Sequence, residues 1–322
     1  MRAVIARRPG PPDVLEPVEV ADPAPGPGQV VVDVRFAAIT FVDTQMRSGA
    51  FPRIRPEDFP LVLGNGVTGT VAAVGEGVDS GWLGTDVVTA TGGRGGYASR
   101  AVASASDLHR IPAGLDPRDA VALLADGRTA LGLARAAGVG ARDVVAITAA
   151  GGGVGSLLVQ LAHRAGATVV ALAGDAAKRD LALGLGADAA IDYREPGWPE
   201  RLAAAAPGGL DVAFDGVGGD VSAPLVAALG RGGRYLPHGG SSGRWAGIGD
   251  DEAAERGLTV IPLTAIGAGE AEFYGLTEDA LTEGAAGRLR PTIGQTWPLD
   301  EVAAAHAAIE ARSTLGKTLL EM

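Results

Sequence analysis

The sequence contains no cysteine. That absence removes disulfide bonds, thiolate nucleophiles and every cysteine-ligated metal site together. Histidine is scarce too: His109, His163, His238 and His306 are scattered without ligand spacing, and each reads first as a packing or surface residue. No apolar run approaches the ~18 residues needed to span a membrane. The opening MRAVIARRPGPP is too short in its apolar part to read as a signal peptide, so a cytoplasmic location is expected. The formal net charge is −11 and no basic stripe interrupts it, which argues against nucleic acid as a partner.

What is present is an ordinary globular composition, 47% hydrophobic and 20% charged, over 322 residues; that length is more than one usual core, so two domains are expected. The first third reads as β-rich. VVVDVRFAA (30–38), TGTVAAVG (68–75) and DVVTAT (86–91) are short apolar or β-branched runs separated by Gly, Pro and Asp. After Pro112 and Gly114 a helix begins, and from about residue 122 to 263 strand and helix alternate. Strands are predicted at 143–149, 168–173, 189–192, 211–215, 233–237 and 258–263. Such alternation predicts an α/β fold with a parallel, doubly wound sheet. The tail holds an amphipathic helix (299–312) and a last strand, GKTLLEM, expected to return to the N-terminal domain.

The stretch AITAAGGGVGSLLVQLAHRAG (146–166) carries the chemistry. A strand enters a glycine cluster with Ala149, Gly152 and Gly155 at three-residue spacing, and an amphipathic helix leaves it. A helix starting at such a turn aims unpaired amides and its positive dipole end at whatever lies above. Gly152 would let a pyrophosphate approach the backbone and Gly155 would let the helix pack on the strand, so Gly152, Gly153, Val154 and Gly155 form the expected cradle of a dinucleotide. At the end of the second strand Gly174 stands where an NAD enzyme places a carboxylate for the ribose hydroxyls. Lys178, Arg179 and Tyr193 follow, two cations and a phenol suited to a 2′-phosphate, so NADPH is the expected cofactor. Asp175, one position late, keeps NAD open.

The loop, AGDAAKR, GADAAIDYRE, FDGVGG (214–219), GGRYLPHGGSSG (232–243), VDTQMRSG (42–49), GGYA (95–98) and the terminal GKTLL together resemble the medium-chain dehydrogenase/reductase superfamily, most closely its zinc-free quinone oxidoreductase branch. The resemblance covers nearly the whole chain. It implies a GroES-like β-rich catalytic domain from 1–121 and 264–322, a Rossmann NADPH-binding domain from 122–263, and an active site in the cleft. It also implies that Gly174, Lys178 and Tyr193 meet the adenosine phosphate, that Thr129 lies near the nicotinamide, and that Gly239, Gly240 and Ser241 lie beside the cofactor ring.

Members of that superfamily that oxidise alcohols bind zinc through a Cys near residue 40 and a GHE motif. Here those places read AITFVD and GNG (64–66), without a ligating group, and TATGGRGGYA takes the place of a cysteine-rich zinc loop. No metal is expected. Without a Lewis acid an alkoxide is hard to stabilise, whereas hydride added to a quinone or enone spreads its charge over a conjugated system. Thr40 and Gln45 stand where the quinone reductases carry Asn and Tyr, and both can hydrogen-bond a carbonyl oxygen. Arg47, Asn65 and Arg94 are further candidates for the cleft, or equally for packing and surface. The expected activity is NADPH-dependent reduction of a quinone or α,β-unsaturated carbonyl, a small-molecule substrate. Reduction of enoyl thioesters and non-catalytic NADPH binding, as in lens-crystallin-like members, remain the alternatives. LTVIPL (258–263), interrupted by Pro262, reads as an edge strand covered by a twin subunit, so a homodimer is expected.

Overall fold

Glycine and proline cut the N-terminal third into short strands, as their spacing predicts. The computed structural model describes residues 1–245, 247–267 and 269–322. Strands β1 (Arg2–Ala6), β2 (Leu15–Glu19) and β3 (Gln29–Ile39) lead into helix α1 (Phe41–Ser48). Strands β4 (Leu61–Val62), β5 (Gly66–Val74), β6 (Asp86–Ala90), β7 (Arg100–Ser104) and β8 (Leu108–Arg110) then precede the long helix α2 (Pro117–Ala137).

The alternating region follows: β9 (Val144–Thr148), α3 (Gly153–Arg164), β10 (Thr168–Leu172), α4 (Ala176–Gly184), β11 (Ala189–Ile191), α5 (Trp198–Ala205), β12 (Leu210–Asp215), α6 (Ser222–Ala227), β13 (Leu229–Pro237), α7 (Asp250–Arg256) and β14 (Thr259–Val260). Its six strands are parallel in the order β11-β10-β9-β12-β13-β14. That is the doubly wound nucleotide-binding order, whose reversal beside the first strand opens a crevice at the strands' carboxyl ends. The last predicted strand, 258–263, shrinks to two residues on the sheet edge because Pro262 has no amide to give a ladder.

Helix α8 (Glu270–Ala285), β15 (Ile293–Pro298), α9 (Val302–Glu310) and β16 (Lys317–Glu321) complete the chain. As expected, β16 returns to the N-terminal region, pairing antiparallel with β3. It joins a seven-stranded sheet of order β15-β16-β3-β5-β6-β8, with β7 also on β3, beside a small sheet β2-β1-β4. The chain divides into one unit of Met1–Ala125 with Thr277–Met322 and another of Asp126–Leu276. The divisions fall inside helices α2 and α8, a few residues beyond 121/122 and somewhat further beyond 263/264.

Within the first unit α1 buries charge, which its sequence pattern does not suggest. Asp43 and Arg47 are each only 1% exposed. Arg47 Nη2 donates to Glu310 Oε1 of α9 at 2.5 Å, and Tyr97 Oη lies 3.0 Å from His306 Nε2, also of α9. His306 Nδ1 is buried without a partner among the described residues. A bare lone pair is cheaper to bury than a stranded N–H, so the proton is assigned to Nε2, which donates to Tyr97, and Tyr97 in turn donates to Asp43. Burial pushes the Asp43 carboxyl above its usual range. Burial, with the Arg47 charge adding to it, pushes His306 down to about 3. This network ties α1 to the C-terminal segment.

His306 therefore stays neutral in the folded chain while the unfolded chain binds a proton near pH ~6.5. A depressed folded pKa gives stability that is complete above the unfolded value and drains away as pH falls toward the folded one, at about 1.4 kcal/mol per pH unit. In urea titrations the stability advantage over His306→Gln should narrow with that slope from about pH 6 to about pH 4. A pH-independent advantage would contradict a neutral buried imidazole.

Candidate nucleotide-binding site

At the crevice of the six-stranded sheet, strand β9 ends on Thr148 and the chain turns through Ala149–Gly152 into α3. Ala149 holds φ at +50°, a left-handed conformation that an L-residue adopts at some cost. Three of the four glycines at this turn serve different purposes. A Cβ on Gly155 would lie 2.3 Å from the Ala149 carbonyl oxygen, so glycine is demanded there by helix-on-turn packing. A Cβ on Gly153 would lie 1.9 Å from Asp126 Oδ2, so a carboxylate is packed against that turn. A Cβ on Gly152 would meet only the Ala149 oxygen, at 3.2 Å. Packing hardly requires glycine at 152, which leaves backbone open to a group from outside the chain. Gly152 is also the N-cap of α3 and offers no side chain to its amides, those of Gly153, Val154 and Gly155 among them. These features fit a dinucleotide pyrophosphate.

Asp215, at the end of β12, fixes the neighbouring loops. Its carboxylate accepts from Thr148 Oγ1 (2.9 Å), Tyr235 Oη (2.8 Å), the Val217 and Gly218 amides (3.0 Å each) and Ser222 Oγ. Burial alone would raise its pKa, but these donors outweigh burial and hold it below the ordinary value. Loop 238–243 is laced to loop 215–217 by backbone bonds from His238, Gly239, Ser241 and Ser242. A Cβ on Gly239 would come within 2.8 Å of the Gly216 oxygen, so this loop approaches closely. Gly240 is buried beneath Trp245, and Ser241 is half-buried with no side-chain partner among the described residues. Thr129, on α2, is likewise half-buried with its hydroxyl unengaged among the described residues.

At the end of β10 the sequence expectations meet a denser arrangement. Asp175 caps α4, accepting the Lys178 amide at 3.0 Å, and its other oxygen lies 3.0 Å from Lys178 Nζ. The carboxylate that kept NAD open is thus engaged within the chain. The Lys178 stem packs on the glycine turn, where a Cβ on Gly151 would come within 2.5 Å of it. Arg179 Nη1 donates to Asp192 Oδ2 at 2.7 Å, and Tyr193 is half-buried against the core of this unit. Sequence reasoning passed over Asp192, Arg194 and Asp215. Two of them sit in the quoted IDYRE, where a carboxylate and a cation flank the tyrosine.

In the first unit, Thr40 is the N-cap of α1 in a capping box with Asp43. Its hydroxyl donates to Asp43 Oδ2 at 2.7 Å, so its only proton is engaged. Gln45 is half-buried and its amide has no partner among the described residues. Of the further candidates, Arg47 is buried on Glu310, Asn65 Oδ1 accepts the Gly93 amide at 2.7 Å, and Arg94 is exposed. Asn65 and Arg47 therefore serve packing.

A Rossmann-type sheet with a glycine turn at its central strand, in one chain with a β-rich unit, defines a dinucleotide-dependent class of protein. Residues 26–113 match the alcohol dehydrogenase GroES-like domain and residues 153–278 the zinc-binding dehydrogenase domain. The probable quinone oxidoreductase of Schizosaccharomyces pombe is 31% identical over 97% of this chain and 94% of its own length. The 2-haloacrylate reductase of a Burkholderia species is 30% identical over 99% of this chain and 98% of its own. The solved structure of Escherichia coli quinone oxidoreductase complexed with NADPH superposes with a TM-score of 0.92 at 29% identity, covering 100% of both chains. The chain belongs to the medium-chain dehydrogenase/reductase superfamily, in its quinone oxidoreductase-like branch.

The unequal roles of the loop glycines can be separated. Gly155→Ala should lower unfolding free energy by about 1–3 kcal/mol through overpacking. Gly152→Ala should cost no more than about 1 kcal/mol, the scale of an N-cap change, yet weaken dinucleotide binding at least ~10-fold by crowding the open backbone. Urea unfolding and a fluorescence titration measure the two effects. Undiminished affinity in Gly152→Ala would remove the loop from the binding site.

Proposed function

We propose that the chain passes hydride from NADPH to a quinone or another α,β-unsaturated carbonyl compound, and does so without a metal. It is an NADPH-dependent oxidoreductase of its family. The observation that carries the cofactor reading lies at the end of β10, where Gly174 offers nothing to a ribose hydroxyl and Asp175 is held by the α4 cap and Lys178. Lys178 and Arg179 bring positive charge to that place, which suits a 2′-phosphate.

Bound there, NADPH supplies hydride from the C4 position of its nicotinamide ring. The turn at Gly152–Gly155 holds the diphosphate, and the unengaged hydroxyls of Thr129 and Ser241 orient the ring end. Gln45 donates a hydrogen bond from its free side-chain amide to the acceptor oxygen, and water supplies the proton that completes the reduction. Thr40, whose proton is given to Asp43, contributes chiefly by capping α1 and so holding Gln45 in place. Conjugated acceptors suit such a site, because their reduced charge is delocalised and needs only weak donors rather than a Lewis acid. A relative described as a 2-haloacrylate reductase, whose substrate is itself a conjugated acid, supports the same class. Metal independence is supported by the absence of cysteine and of any ligating side chain in AITFVD or GNG apart from Asp43, which is enclosed by Thr40 and Tyr97.

The reading includes a cytoplasmic homodimer. The edge strand β14 and the exposed Trp245, Leu263, Phe273 and Tyr274 of the same unit are apolar surface suited to a second copy. No described helix is long and apolar enough to cross a membrane.

Initial rates with NADPH against a panel of quinones, enones and enoyl thioesters, beside simple alcohols with NADP⁺, test the chemistry. The expected result is reduction of quinones or enones, flat from about pH 6 to about pH 8 because no required group titrates there. Gln45→Ala should lower kcat about 10-fold or more, and Thr40→Ala should act mainly by costing about 1 kcal/mol of stability. Alcohol oxidation alone would overturn the acceptor class, turnover confined to thioesters would favour enoyl reduction, and binding without turnover would mean a non-catalytic protein. One tightly held zinc per chain would refute metal independence, and a monomer mass by light scattering at micromolar concentration would refute the dimer.

A further inference from the structure

Arg194 lies over Gly174. An ideal Cβ on that glycine would be 2.9 Å from Arg194 Nε, 3.0 Å from Cδ and 3.3 Å from Cζ. The guanidinium therefore fills the space in which a side chain at 174 would begin. In an NAD-binding fold that space holds the carboxylate that grips the ribose hydroxyls. Here the same point carries the opposite charge.

The placement of Arg194 is not that of a loose surface arginine. Asp192, 8% exposed at the end of β11, accepts the Arg194 amide at 2.9 Å and Nε at 3.2 Å on one oxygen. Its other oxygen accepts Arg194 Nη2 at 3.2 Å and Arg179 Nη1 at 2.7 Å. One buried carboxylate thus draws two guanidiniums toward the end of β10, and it can neutralise only one of them. The Arg194 side chain remains 60% exposed, so its outer face is open to a ligand. With Lys178 and Asp175 included, three cations stand against two carboxylates in this described cluster, in a chain whose net charge is −11.

We infer that Arg194, held over Gly174 by Asp192, is a determinant of selectivity for a 2′-phosphorylated cofactor, with Asp192 as its positioning residue. The inference rests on the proposed use of NADPH and adds the residues that choose it over NADH. It has a consequence that Gly174 alone does not. A carboxylate introduced at 174 would emerge beneath the guanidinium and pair with it, so Gly174→Asp by itself should lose NADPH without gaining NADH. Gly174→Asp combined with Arg194→Ala should gain NADH.

The test is equilibrium titration of the full-length protein with NADPH and with NADH, each followed by cofactor fluorescence, and with melting temperature as a check of folding. Arg194→Ala should weaken NADPH about 10- to 100-fold, the scale of one charge-assisted contact, and leave NADH within about twofold. Arg194→Lys should recover part of the loss, and Asp192→Asn should reduce the NADPH:NADH preference in the same direction. Equal affinity for both cofactors in the unaltered protein would defeat the NADPH reading and this inference with it. A strong NADPH preference that survives Arg194→Ala would overturn the Arg194 assignment alone, as would a gain of NADH affinity by Gly174→Asp with Arg194 in place.

Discussion

The nucleotide-binding edge depends on one buried carboxylate. Asp215 collects donors from the end of β9, from its own loop, from α6 and from β13. Each donor helps offset the cost of burying this charge, so removing one costs more than losing a single surface hydrogen bond. By fixing Thr148 it fixes where β9 stops and the glycine turn starts. By fixing loop 215–218 it also fixes loop 238–243, whose backbone is bonded to it. A crevice suited to a flexible dinucleotide is thus bounded by segments that cannot drift, the preorganisation a positioning-dependent reaction requires.

The first unit solves a related problem with buried charge of both signs. Asp43 and Arg47 point inward from α1, and residues more than 250 positions later answer them: His306 through Tyr97, and Glu310 directly. The C-terminal segment, with β16 paired to β3, therefore closes the fold around the helix that carries Gln45. Thr40 belongs to this scaffold more than to the chemistry. The capping box that engages its hydroxyl is what starts α1 where it starts.

The sequence was informative where a local rule decides the outcome. Apolar runs punctuated by glycine predicted four of the six parallel strands to within about a residue at each end and the second half of β13, and Pro262 explains why the last is a two-residue remnant. The glycine turn was legible because strand, spacing and helix occur in one continuous stretch. What could not be read were contacts made by distant residues. Arg194 follows the noted Tyr193 directly, yet its meaning appears only when the fold sets it on Gly174, 20 positions earlier. Arg47 reads equally as a cleft, packing or surface residue and Asp43 draws no notice, because the partners of both arrive from the other end of the chain. Thr40 is the exception, since Thr-x-x-Asp before a helix is itself a capping signal that was available and outweighed by its position near the family's substrate residues.

The central claim is that hydride moves from the cofactor's nicotinamide to a conjugated carbonyl acceptor. Its most direct measurement uses NADPH dideuterated at the nicotinamide C4 and an α,β-unsaturated ketone, with the reduced product examined by mass spectrometry and NMR. The account predicts one deuterium per product molecule, placed on the carbon β to the carbonyl, and a slower turnover than with unlabelled cofactor. Product formed with hydrogen from solvent at that carbon, or cofactor oxidation without any reduced product, would contradict it.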